Sequence, residues 1–260
     1  MGIEFLVIPL VGFVVSALTF FSGFGLGTLL LPAFIAFFPA EVAVGLTAVV
    51  HALNNLFKFG LVRRDIDRAV VVRFGVPALV CAYFGARLLV SLAEAQSTVS
   101  YSVFSRVFET TPLNVVMGIL IFFFALVEIV PRFSRLSVDR RYLPLGGVLS
   151  GFFGGLSGHQ GAFRSVFLLR SGLSKDAFIA SGIAIALLVD AVRLSVYGMN
   201  LSREMISGNL LLLVVVIAAA FLGAFVGNRF AKKTTLRSVQ VVVSILLFVV
   251  AAGLVTGMLG

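Results

Sequence analysis

The sequence predicts an all-α polytopic membrane protein made of two inverted-topology repeats. Each repeat is a broken or re-entrant helical hairpin followed by three transmembrane helices, giving about eight to ten membrane segments in all. Three observations predict this class. Hydrophobic residues make up 60% of the 260-residue chain and charged residues 12%, with a mean hydropathy of +1.14. Apolar runs of membrane-spanning length recur from one end of the sequence to the other. A glycine-rich signature, SGFGLG at 22–27, returns as SGFFGG at 150–155.

The first apolar run, 3–21, has Glu4 in front of it rather than a basic patch and shows no clear cleavage site, so it reads as a retained helix and not a signal peptide. Runs at 24–38, 41–61, 69–93 and 113–130 complete the first half. The second half contains 143–157, 160–173, 175–199, 207–230 and 238–259. Three of these, 24–38, 143–157 and 160–173, fall short of the ~20 residues of a straight transmembrane helix. They are expected as half-membrane or broken helices, which need protein or a water-filled cavity to satisfy their backbone. The polar connection 94–112 is expected to hold at most a short interfacial helix. The domain reading is a membrane repeat over 1–130, a cytoplasmic basic linker over 131–141 and a second membrane repeat over 142–260.

Lysine and arginine concentrate in LVRRDIDRAVVVR (61–73), PRFSRLSVDRR (131–141), RSGLSK (170–175) and NRFAKKTTLR (228–237). The connections at 94–112 and 200–204 are nearly balanced. Basic loops stay on the cytoplasmic side, which puts both termini outside a cytoplasmic (inner or plasma) membrane. The net charge of +9 is thereby an orientation signal, and nucleic acid is set aside as a partner. Cys81, the one cysteine, excludes an internal disulfide and a cysteine-based metal cluster and reads as a small core residue.

The repeat extends beyond its glycines. HALNNLFKFG (51–60) stands opposite IALLVDAVRLSVYG (185–198), and aligning Asn55 with Asp190 also aligns Lys58 with Arg193. FGAR (84–87) corresponds to VGNR (226–229). Five elements per half is an odd number, so the second half enters from the opposite side. In such transporters the binding site lies near the bilayer midplane, where interrupted helices meet. The stretch GLSGHQGAFRS (155–165) is one interruption and the segment around Gly23, Gly25 and Gly27 is the other. Backbone N–H groups at restarting helices favour an anion, and the expected cradle is Gly25, Gly27, Thr28, Gly158 and Gly161.

His51, Asn54, Asn55 and Lys58 are spaced by three and four and form one polar stripe on an otherwise apolar helix. Lys58 either serves the site or snorkels to the cytoplasmic face. Asp190 and Arg193 share a face of the matching helix, as a pair joining two helices or as an anion contact with Asp190 taking a coupling proton or cation. Arg164 has no acid near it in sequence and follows the second interruption, which favours an anion-facing role. His159 and Gln160 would donate to the same ligand or cap a helix, and a histidine at 51 or 159 can couple transport to protons near neutral pH. Two histidines so distant in sequence argue against a metal site, and nothing calls for a cofactor. The serines, histidines and Asp190 form no recognisable catalytic spacing, so an enzyme is not expected. A cation- or proton-linked transporter using Asp190 and a passive anion channel are the competing classes.

On GFGLGTLLLPAF, AVGLTAVVHALNNLFKFG, SGFFGGLSGHQGAF and ASGIAIALLVDAVRLSVYG, the chain resembles the sulfite exporter TauE/SafE family over essentially its whole length. The resemblance implies a secondary transporter or permease for a sulfur-containing anion: sulfite, thiosulfate, an organosulfonate such as sulfoacetate, or a related carboxylate. The partners it implies are that small anion, the lipid bilayer and a coupling proton or sodium ion. The first glycine run is SGFGLGT rather than an unbroken string. The second half carries His159, Gln160 and Arg164 where small residues are more usual, which makes these three the expected specificity determinants.

Overall fold

The computed structural model describes residues 2–19, 26–95, 97–103, 106–130, 138–200, 208–230 and 237–259. Among them ten α-helices follow the apolar runs closely. They are α1 (Glu4–Thr19), α2 (Leu26–Ile35), α3 (Ala40–Val62), α4 (Arg68–Glu94), α5 (Pro112–Ile129), α6 (Leu143–Ser157), α7 (Gly161–Leu168), α8 (Lys175–Asn200), α9 (Leu210–Phe230) and α10 (Arg237–Val255). Local chemistry sets several boundaries. Asp67 accepts from the Val70 amide at the start of α4, and Thr111 accepts from the Asn114 amide with Pro112 in the first turn of α5. Gly158, with φ 82°, ends α6 in the left-handed conformation.

Four helices are long and apolar enough to cross a membrane, over Ala40–Asp65, Arg68–Glu94, Lys175–Gly198 and Leu210–Gly227. Large apolar side chains including Leu6, Val72, Val76, Val80, Phe84, Leu211, Leu222 and Val249 point outward, as lipid requires and water does not. The chain is an all-α membrane protein. Of the four long helices, α3 and α8 are innermost: 56 and 61% of their spanning windows are buried, against 39% for both α4 and α9. The polar stripes of the sequence therefore lie on the two long spanning helices that lipid reaches least.

Small residues let the outer helices close on the hairpins. A Cβ at Gly147, Gly151 or Gly155 of α6 would collide with the carbonyl oxygens of Phe74, Ala78 and Ala82 of α4, and one at Gly85 of α4 with Phe152 O. Gly223 and Gly227 of α9 meet Phe13 O and Ala17 O of α1 in the same way. Spacing by four puts each set on one stripe, so backbones approach directly where lipid offers no hydrophobic drive for helices to associate. The main core joins residues of α2, α3, α5, α9 and α10, such as Phe34, Leu46, Met117, Val216 and Leu254. A second core forms around Phe74, Leu143, Phe167, Ile185 and Val189.

The connection 94–112 is not an interfacial helix. It forms an antiparallel hairpin of β1 (Val99–Val103) and β2 (Arg106–Thr110), with Tyr101 opposite Phe108. The physical reason is the alternation of β-branched and aromatic residues with polar ones in VSYSV and RVFET, a period of two rather than 3.6. The Tyr101 and Phe108 rings stack with centroids 5.6 Å apart. The hairpin clamps the end of α10: Tyr101 OH donates to Thr256 O at 2.6 Å and Thr110 Oγ1 to Leu254 O at 3.0 Å.

Candidate functional site

The cluster forms where the α6–α7 break, the start of α2 and the two inner helices converge. Asp190 of α8 is fully buried and accepts from several directions. His51 Nδ1 lies 2.7 Å from Oδ2, and Asn55 Nδ2 donates to the same oxygen at 3.3 Å. Gln160 Nε2 donates to Oδ1 at 3.2 Å, and Arg193 Nε donates to Oδ1 at 3.0 Å. Arg193 Nη2 is also 2.8 Å from Oδ1, an ion contact outside hydrogen-bond geometry. A carboxylate shared by four side chains from α3, α8 and the residue that starts α7 fixes the relative placement of three elements.

Gln160 extends the network, because its Oε1 accepts from Arg164 Nη1 at 3.1 Å and its backbone carbonyl accepts from Ser150 Oγ at 2.8 Å. Arg164 runs beside α8, with its Nε 3.4 Å from where a Cβ on Gly182 would stand. His159 is clamped on two sides. Its ring stacks on Phe124 at 4.6 Å and 10°, and its Nδ1 is 2.9 Å from Ser157 Oγ. Tyr197, one turn after Arg193, donates through its hydroxyl to Gly155 O.

Several buried polar atoms here make no hydrogen bond: Arg193 Nη1, His159 Nε2 and Thr47 Oγ1, with Arg193 Nη2 left only its ion contact with Asp190. Such groups cost about 1–3 kcal/mol each when left unsatisfied, and more when charged. The glycines leave space beside them. A Cβ on Gly158 would sit 2.7 Å from Arg193 Nη1, and one on Gly27 would sit 3.3 Å from Gly158 O and 3.5 Å from His51 Cδ2. The first turn of α2 thus reaches the end of α6. Gln160 occupies the N-cap position of α7 and its side chain makes no capping hydrogen bond to the first-turn amides.

Charge is unbalanced here. Among the described residues the buried basic side chains are Lys58, Arg164 and Arg193; Arg164 and Arg193 lie on the side of the buried carboxylate Asp190, and Lys58 on the far side of α3. No group of three or more His, Cys, Asp or Glu side chains among the described residues is placed to hold a metal ion.

The structure brings His51, Asn55, His159, Gln160, Arg164, Asp190 and Arg193 together around Gly27, Gly158 and Gly161, with Thr28 buried in the first turn of α2. Gly23 and Gly25 lie outside the described residues. The other half of the α3 stripe faces elsewhere. With its amide oriented to satisfy its neighbours, Asn54 donates to Ala220 O at 3.2 Å and accepts from Lys58 Nζ at 3.1 Å, and Ser16 of α1 is 3.1 Å away. At about 100° per residue, positions 51 and 55 differ by roughly 40° and so do 54 and 58, while 51 and 54 are some 60° apart. The stripe is wide enough to serve two neighbours, α8 on one side and α1 with α9 on the other. Lys58 is buried there rather than extended to the membrane surface. Arg164, without an acid near it in sequence, reaches Asp190 through Gln160. Sequence reasoning missed Thr47, Phe124, Ser150, Ser157 and Tyr197. Two of these carried a usable signal, since Thr47 is one turn before His51 and Tyr197 one turn after Arg193.

Fold and cluster together define a polytopic membrane protein with a charged site buried between interrupted helices. The chain belongs to the sulfite exporter TauE/SafE family, whose sequence model matches residues 8–254. It is a membrane transporter of the sulfite or anion exporter type. No curated protein and no solved structure matches the chain.

Proposed function

We propose that the protein is a secondary transporter that carries a sulfur-containing anion, such as sulfite, thiosulfate or a sulfonate, across the cytoplasmic membrane by alternating access. One observation carries the reading: Arg193 Nη1 is buried without a hydrogen bond and Nη2 has only its ion contact with Asp190, while Nε is held by Asp190. An oxyanion can receive two parallel N–H bonds from such a fork. Gln160 and Arg164 line the same site, and the uncapped amides from Gly161 add the positive end of α7. Asp190 then positions Arg193 and does not serve as a cation site, because His51, Asn55, Gln160 and Arg193 already occupy its oxygens. Asn54 and Lys58 form a second, linked polar group on the far side of α3.

The inverted repeat supplies the motion. The reading is supported by the packing of α1 on α9 and of α4 on α6 through equivalent glycine-to-carbonyl contacts, and by the approach of Gly27 to Gly158, one from each half. Rocking of the halves about this meeting point would expose the anion to either side in turn.

The test is thermal unfolding of the purified protein in detergent with sulfite, thiosulfate, sulfate, sulfoacetate and acetate at constant ionic strength. A ligand at a hundred times its Kd stabilises the native state by about 2.7 kcal/mol, a readily measured shift. We expect a saturable shift with a sulfur anion that is lost in Arg193→Lys, which keeps the charge but not the fork, and weakened in Arg164→Gln. No shift with any anion, or an undiminished shift in Arg193→Lys, overturns the reading.

A further inference from the structure

We infer that the His51–Asp190 pair is a proton-binding site and that one proton is taken up with each dianion bound; this rests on the anion reading of the same cluster. Asp190 is a hydrogen-bond acceptor 2.7 Å from His51 Nδ1, so that nitrogen carries the ring hydrogen and Nε2 holds the lone pair, with Asn55 Nδ2 3.4 Å from it. Nε2 is 3.8 Å from where a Cβ on Gly27 would stand, at the same meeting point that Gly158 and Arg193 border. The proton-accepting atom therefore faces the space between the two interruptions and not the lipid.

Charge counting makes the linkage. In the empty site the guanidinium of Arg193 is paired with the carboxylate of Asp190, and Arg164, held by the neutral Gln160, adds a second positive charge. A dianion such as thiosulfate then brings the negative charges to three against two cations. A proton taken up from the buffer acid in bulk solution, forming an N–H bond at His51 Nε2, gives Asp190 an imidazolium partner and releases Arg193 to the anion. The other charged or titratable groups around the pair are Lys58 on α3, His159 and Arg164 beside the break, and Tyr197 on α8. Lys58 is engaged with Asn54 on the other side of α3, and Arg164 is held by Gln160 Oε1. His159 is the competing proton acceptor, since its Nε2 also lacks a partner.

The experiment is calorimetric titration of the purified protein with thiosulfate, which stays fully ionised near neutral pH, in several buffers of different ionisation enthalpy. We expect close to one proton taken up per thiosulfate, with affinity rising about tenfold for each pH unit lowered within the window where uptake occurs, because linkage is reciprocal. In His51→Gln, thiosulfate should still bind, with no uptake and a pH-independent affinity; in His159→Gln, uptake should persist. The wild-type titration needs no variant to be decisive. Binding without uptake anywhere from about pH 5 to pH 9, across the range of a histidine, overturns the inference and leaves the anion reading standing. Uptake lost in His159→Gln and retained in His51→Gln overturns the assignment to His51. Failure of every sulfur anion to bind overturns the anion reading and this inference with it.

Discussion

Arg193 is useful because of what holds it. Asp190 takes its Nε, and Gly158 makes room for Nη1 by carrying no side chain. The two demands on Gly158 can be separated experimentally, because Gly172 has a similar φ of 78° but nothing within 4 Å of an added Cβ. Alanine at either position should cost about 1–2 kcal/mol from the left-handed backbone alone. Only Gly158→Ala should also displace Arg193 and abolish the thiosulfate-dependent shift in unfolding temperature, and an unchanged shift would detach Gly158 from the site. Gly158 was legible in the sequence, as was Arg193, because glycine and arginine are out of place in an apolar span. The partner of Asp190 was not. His51 precedes it by 139 residues, and only the closing of α3 on α8 brings them together. The split of the α3 stripe was equally hidden, since spacing by three and four gives a face but does not say how many neighbours share it.

Helices were the most readable level, because a bilayer leaves the backbone few alternatives and apolar run length maps directly onto element length. The β-hairpin at 99–110 escaped because a polar setting drew attention away from a period-two pattern only five residues long on each strand. The helix pairs were half legible: the glycines stood out, and their partners did not. Gly151 sits against Ala78 of α4, whereas Gly198 near the end of α8 has nothing within 4 Å. Gly151→Val should therefore push α4 and α6 apart and destabilise by at least the ~1–3 kcal/mol typical of overpacking. Gly198→Ala should be neutral or stabilise by up to ~1 kcal/mol through helix propensity. Thermal unfolding of the two variants checks this, and a Gly151→Val protein as stable as the parent would mean that the α4–α6 contact is not a close backbone one.

At the scale of the whole molecule, the proposed inverted repeat would turn two half-sites into one site that either side of the membrane can reach, and only if the halves enter from opposite sides. That arrangement fixes which connections share a compartment. The proposed orientation would put the hairpin 99–110 and the termini outside and the turns at 63–65 and 169–174 inside with their basic residues. Replacing Cys81 with serine gives a cysteine-free background, into which Ser97→Cys and Arg170→Cys can be introduced, both positions being exposed. In intact cells a membrane-impermeant maleimide should label Cys at 97 and leave Cys at 170 unmodified until the membrane is permeabilised. The α6–α7 break starts and ends on the same side in this scheme, since Leu143 and Leu168 both adjoin inner connections. Labelling of both positions from outside would make the α6–α7 pair a full crossing, give the halves parallel rather than inverted topology, and remove the geometric basis for rocking about Gly27 and Gly158.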